Sequence, residues 1–172
     1  MSRLWLTGYR SYELGVFGSQ DPKLLVIKDT LKKLLIGKLE NGMDWLITGG
    51  QLGVEQWAAE VGLALKPDYP ELKIAMMTPF AEFGSNWNEN NRGTYAQLAS
   101  RVDFHQSVSE QPYHGPQQLR NYQEFMLTHT DEAVMVYDLE VEGKPKYDYE
   151  AITRFAEQHA YPLTLIDMDW LQ

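Results

Sequence analysis

Thr48-Gly49-Gly50-Gln51-Leu52-Gly53-Val54-Glu55 is the segment of this 172-residue chain whose residue types and spacing point most directly to chemistry. It follows an apolar run, Trp45-Leu46-Ile47, and opens a helical stripe of Val54, Trp57, Ala58, Val61 and Leu65. Glycines between a strand and a helix allow positive φ and a close approach of backbone to ligand. The free amides at a helix N-terminus, at the positive end of its dipole, suit a phosphate. The pattern is neither Gly-x-Gly-x-x-Gly nor a phosphate loop ending in Gly-Lys-Ser/Thr. A tight turn that needs small residues for packing explains the same letters. Gly49, Gly50, Gln51 and Gly53 are therefore candidate ligand contacts beside a purely structural reading. Glu55, in the first helical turn, is either a carboxylate stabilised by the dipole, by ~0.3–1 kcal/mol, or a group that binds ribose hydroxyls or acts as an acid or base.

Other candidates also follow apolar runs. Gly8-Tyr9-Arg10 comes directly after Leu4-Trp5-Leu6-Thr7. Arg10 is placed for a phosphate and Tyr9 for stacking on a base, although such residues on loops are commonly just solvated. Pro79-Phe80-Ala81-Glu82-Phe83-Gly84-Ser85-Asn86-Trp87 carries aromatics fit for a lid, an oligomer interface or the cover of a hydrophobic cluster. The loop 109–116, with Tyr113 and His114, offers the same choice. Arg120 and Asn121 open a helix after Gly115-Pro116, where the arginine could reach a phosphate. Asp138 ends a strand and could hold a ribose or order a loop; Glu150 is a second acid/base candidate.

The chain has no cysteine, which removes disulfides, thiolate nucleophiles and cysteine-based zinc or iron–sulfur sites. His105, His114, His129 and His159 lack metal-ligand spacing, so no metal is expected. No Gly-x-Ser-x-Gly elbow argues for a hydrolase triad. With 24 acidic against 15 basic residues, the net charge of −9 disfavours nucleic acid, a polyanion that needs a basic face. No apolar run approaches the ~20 residues of a membrane span, so a cytoplasmic protein without membrane insertion is expected.

The elements that must position these residues alternate in hydrophobic period. Leu24, Ile27, Leu31, Leu34 and Leu35 form one face of a helix over 21–41, begun by Asp21-Pro22 and ended by Asn41-Gly42. Further strands are expected at 72–78, 102–108, 133–137 and 163–166. Helices are expected after Gly53, over 92–101, through Leu119, Tyr122, Met126 and His129, and through Ile152, Phe155, Ala156 and His159. Strict β–α alternation implies one α/β domain over 1–172, a Rossmann-like doubly wound parallel sheet of about six strands with helices on both faces. Strand order 3-2-1-4-5-6 is the most familiar solution, with ligands outside the strands' carboxyl ends.

Thr7-Gly8-Tyr9-Arg10, the 48–55 block, Thr78-Pro79-Phe80 and Gly143-Lys144-Pro145-Lys146-Tyr147 together resemble the YpsA family. It is a branch of the SLOG superfamily, which is named for the SMF/DprA and LOG proteins. The likeness spans roughly residues 3–170. It implies a Rossmann-like fold, a nucleotide-derived ligand such as ADP-ribose or NAD held by Gly8, Gly49, Gly50, Gly53 and Glu55, and a bacterial protein linked to cell-division control. LOG enzymes release a base from a nucleoside monophosphate and carry Pro-Gly-Gly-x-Gly-Thr. Here the matching loop reads Gly143-Lys-Pro-Lys-Tyr-Asp-Tyr-Glu150.

Three functions follow as expectations. The first is a sensor that binds a nucleotide-type small molecule and signals to a protein partner, with no cofactor required. Its contacts would be Gly8, Tyr9, Arg10, Gly49, Gly50, Gln51, Gly53, Glu55, Pro79, Phe80, Arg120 and Asp138. The second is an enzyme cleaving an N-glycosidic bond with Glu55 or Glu150. The third is a structural interaction protein without a ligand. A homo-oligomer is compatible with each.

Overall fold

The computed structural model describes residues 2–172. Its strands are β1 (Ser2–Gly8), β2 (Met43–Thr48), β3 (Lys73–Thr78), β4 (Phe104–Ser107), β5 (Glu132–Val136) and β6 (Leu163–Ile166). They form one all-parallel sheet of six strands in the order β4-β3-β2-β1-β5-β6. The helices are α1 (Pro22–Glu40), α2 (Val54–Leu65), α3 (Glu89–Arg101), α4 (Gln117–Thr128) and α5 (Lys146–Ala156).

The Rossmann-like, doubly wound architecture is the one the alternation implies, but the order is not 3-2-1-4-5-6. Three strands, not two, lie on the β2 side of β1, and the chain reverses only after β4. The reason lies in β4 itself. Phe104-His105-Gln106 is exposed, so this strand suits an edge, whereas the place beside β1 goes to Ala133–Val136, which is buried throughout. Right-handed crossovers then set α1, α2 and α3 side by side on one face, with α4 and α5 on the other.

Local signals start and stop these elements. The Asp21 side chain accepts from the Lys23 amide at 2.9 Å with Pro22 at the first helical position, and Gly42 takes a φ of 103° just past the end of α1. The third helix begins three residues before the expected 92, because the Asn88 side chain caps the Asn91 amide at 2.8 Å. Leu24, Ile27, Leu31 and Leu35 of α1 are buried, and Leu34 is half-buried at the edge of the stripe. Helix α2 is apolar nearly all round because the sheet, α1 and α3 enclose it. Trp57, Met76 and Met77 belong to this core. No helix among the described residues is long and apolar enough to cross a membrane.

Leu31 is fully buried. Leu31→Ala should cost about 2–5 kcal/mol, seen as a lower urea midpoint with an unchanged slope.

Candidate functional site

The sheet diverges in sequence order between β1 and β5, and outside the carboxyl ends of these strands lies a cavity of about 500 Å³. Thr7 and Gly8 bring the end of β1 to it, and Gln51 and Glu55 bring the start of α2. Pro116 and Pro145, the residues that cap α4 and α5, also line it. Three helix N-termini thus turn their positive dipole ends toward one space. Arg10, half-buried, and the exposed Arg120 and Lys144 add three cationic side chains. An acidic protein has concentrated positive potential where its strands part.

Inside that potential sit two carboxyl groups. Glu55 Oε2 accepts from the Thr7 hydroxyl at 2.8 Å and Oε1 from the Gln51 amide at 3.0 Å. Burial nevertheless pushes its pKa above the ordinary value, against those hydrogen bonds and the Arg10 charge. Asp148, in the first turn of α5, accepts at Oδ1 from Gln123 Nε2 at 2.8 Å. Burial, aided by the Glu55 charge and opposed by Gln123, Arg10 and Thr7, pushes Asp148 up to about 6. Tyr122, whose hydroxyl donates to the Met77 carbonyl at 3.1 Å, is raised well above 10 by burial and by these carboxylates.

The glycine turn works differently from a phosphate cradle. Its Gln51 amide donates to Glu55, its Leu52 amide to Gln51 Oε1 at 2.9 Å, and the Val54 amide to the Tyr9 carbonyl at 3.1 Å. The anion at the turn is the protein's own Glu55. A Cβ at Gly49 would overlap that carboxylate, and one at Gly50 would meet the Tyr95 ring 2.5 Å away. Gly53 has a φ of 108°, and a Cβ there would lie 2.5 Å from the Ser11 amide nitrogen. Gly49, Gly50 and Gly53 do not line the cavity; they let α2, the loop after β1 and Tyr95 close around it.

Of the other expected contacts, Gly8, Arg10, Gln51, Glu55, Pro79 and Arg120 line the cavity. Tyr9 does not. It is buried, and its hydroxyl donates to the Val141 carbonyl at 2.6 Å and accepts from the Asp138 amide at 2.9 Å, so its ring cannot stack on a base. Asp138 accepts from the amides of Glu140 and Met168, which orders the chain after β5. Phe80 packs among Phe83 and Tyr113, while Phe83 contacts Trp87 and reaches the cavity. Glu150 is exposed and stands outside the lining.

Sequence reasoning passed over Asp148, Gln123, Tyr122 and Glu13. Glu13 accepts from the Arg10 and Lys144 amides, each at 2.8 Å, and so ties the loop after β1 to the loop after β5. A first-turn acid after a proline was the available signal for Asp148; Gln123 and Tyr122 gave none, because they sit mid-helix.

A parallel sheet wound both ways from β1, with its cavity at the point of divergence, defines a Rossmann-like α/β protein whose site lies at a topological switch point. A family model described as the YspA SLOG family, YpsA, matches residues 4–171. The chain belongs to this family. It is 66% identical to a UPF0398 protein of Lactiplantibacillus plantarum over 172 residues, all of this chain and 91% of the relative. Corresponding proteins of Latilactobacillus sakei and Leuconostoc citreum are each 59% identical over all of this chain, which covers 92% and 91% of them.

Two outcomes follow. Gly53→Ala should lower the unfolding midpoint through its backbone conformation and contact, by about 1–3 kcal/mol for the conformation alone. For Asp148, the folded group keeps a proton between 3.8 and about 6 that the unfolded group loses. Stability therefore falls as pH rises through that window. Asp148→Asn lacks this loss and should exceed wild type above pH 6 by on the order of 1–2 kcal/mol. The advantage should shrink toward pH 4 in denaturant titrations.

Proposed function

We propose that the protein binds a nucleotide-derived small molecule in this cavity, with its phosphates on Arg10, Arg120 and Lys144 and its ribose against Glu55 and Asp148. The observation that supports this is the pairing of cationic groups with two carboxyl groups in one space of about 500 Å³. That volume falls within the ~300–1,000 Å³ usual for small-molecule sites. The phosphate is assigned to side chains because the Gln51, Leu52 and Val54 amides already have acceptors and Gly49, Gly50 and Gly53 stand outside the cavity lining. In this reading the ligand's occupancy is the signal, and a protein partner in cell division, on the family resemblance, is what receives it.

One observation favours a second reading, cleavage of an N-glycosidic bond. A carboxyl raised to about 6, facing a second carboxylate, is in the range where a side chain can donate a proton near neutral pH. That role falls to Asp148 rather than to exposed Glu150.

Calorimetric titration with ADP-ribose, NAD and AMP tests both. Wild type should bind at least one, and Arg120→Ala should weaken it about tenfold, the ~1.4 kcal/mol of a lost charge-assisted contact, with a shallower salt dependence. An unchanged affinity would remove Arg120 from the site. Product formation on prolonged incubation, abolished by Glu55→Gln, would establish the enzyme; intact ligand would leave the sensor.

A further inference from the structure

Two carboxyl groups meet the Thr7 hydroxyl at this site, where the Tyr122 hydroxyl is already engaged by the Met77 carbonyl. The Thr7 hydroxyl lines the same cavity as both carboxyl groups, can donate only once, and donates to Glu55 Oε2 at 2.8 Å. Asp148 Oδ1 takes the Gln123 amide, and no group among the described residues donates to Oδ2. Asp148 lines the cavity, so this second oxygen is the one left for a ligand.

We propose that Asp148 binds the ligand as a hydrogen-bond donor, its carboxyl keeping a proton in the complex while ionised Glu55 accepts, so that the pair reads a vicinal diol such as that of ribose. The inference rests on the nucleotide-ligand reading above and assigns that ligand its sugar chemistry. Each hydroxyl of a diol both donates and accepts. One can donate to Glu55 while the oxygen of the other accepts from Asp148, an arrangement that two ionised carboxylates cannot offer.

The surroundings of Asp148 favour the proton. Glu55 on α2 faces it with like charge, and Tyr122 and Gln123 on α4 are neutral. The opposing cation is Arg10 after β1, and Arg120 on α4 and Lys144 before α5 line the same cavity. An anionic ligand seated on those three cations neutralises them, and the remaining field of Glu55 then holds the proton on Asp148 more firmly. Binding is thereby linked to proton uptake.

ADP-ribose is the suitable probe because its pyrophosphate stays ionised across the relevant pH range. Titrations from pH 6 to 8.5, in buffers of different ionisation heat, should show uptake of up to one proton and a wild-type Kd that weakens toward tenfold per pH unit at the alkaline end. Asp148→Asn, a permanent donor of the same shape, should bind independently of pH and more tightly than wild type at pH 8.5. A pH-independent wild-type Kd, or Asp148→Asn binding more weakly than wild type at pH 8.5, overturns the inference and leaves the ligand reading standing. At pH 6, ribose 5-phosphate should outbind its 2-deoxy analogue about tenfold, and equal affinity overturns the diol. If no protein binds any probe, the ligand reading fails, and carbon-13 carboxyl shifts decide the proton separately. Asp148 protonated above pH 6 with Glu55 ionised supports the donor, and any other order of ionisation overturns it.

Discussion

The enclosed carboxylate of Glu55 sets the terms for the structure around it. A charge removed from water must be met by donors or it gives up its ionised form. Here the donors are the Thr7 hydroxyl and the Gln51 amide, one from the end of β1 and one from the turn before α2. Meeting that need requires Gly49 to have no side chain, since a Cβ there would occupy the carboxylate's place. It also requires α2 to begin directly beneath the loop after β1, which the positive φ of Gly53 permits. The glycine turn, the strand end and the helix start are one solution to one desolvation problem.

The same loop closes the site from its other side. Tyr9 and Glu13 hydrogen-bond to the chain after β5, so the segments leaving the two diverging strands are held together by bonds from a buried tyrosine and a half-buried glutamate. Such a framework keeps Arg10 and Lys144 near each other without a direct contact between two like charges. It also lets a protein with a net charge of −9 gather cations around one cavity. Bulk charge governs long-range encounter with polyanions, whereas a small anion responds to the few groups within a Debye length.

Legibility differed between fold and site. Each strand and helix could be read from the change between short apolar runs and 3.6-residue stripes, and capping residues placed α1 closely. The order of the strands was less visible. It depended on whether Phe104–Ser107 could tolerate an inner position, and its polar side chains were the clue that it could not. Among the cavity-lining residues, Arg10 and Gln51 were legible because they lie just beyond strands, and Glu55 because it opens the helix that follows. Tyr9, Asp138 and the turn glycines looked equally exposed to a ligand, but the structure bonds the first two to each other across more than a hundred residues and packs Gly49 and Gly50 against the Glu55 and Tyr95 side chains and Gly53 against backbone.

The sequence by itself determined the alternation of elements, hence a parallel sheet, and it placed several chemistry-bearing residues at strand ends. Those are consequences of local periodicity and of residue types that act within a few positions of themselves. Only the tertiary structure decided that Asp148 faces Glu55. The two lie on helices from opposite faces of the sheet, and the long return from β4 to β5 brings their N-termini together at the divergence. Burial there raises the pKa of both carboxyl groups, and the Glu55 charge raises that of Asp148 further, effects that depend on distance in space and leave no mark in sequence spacing.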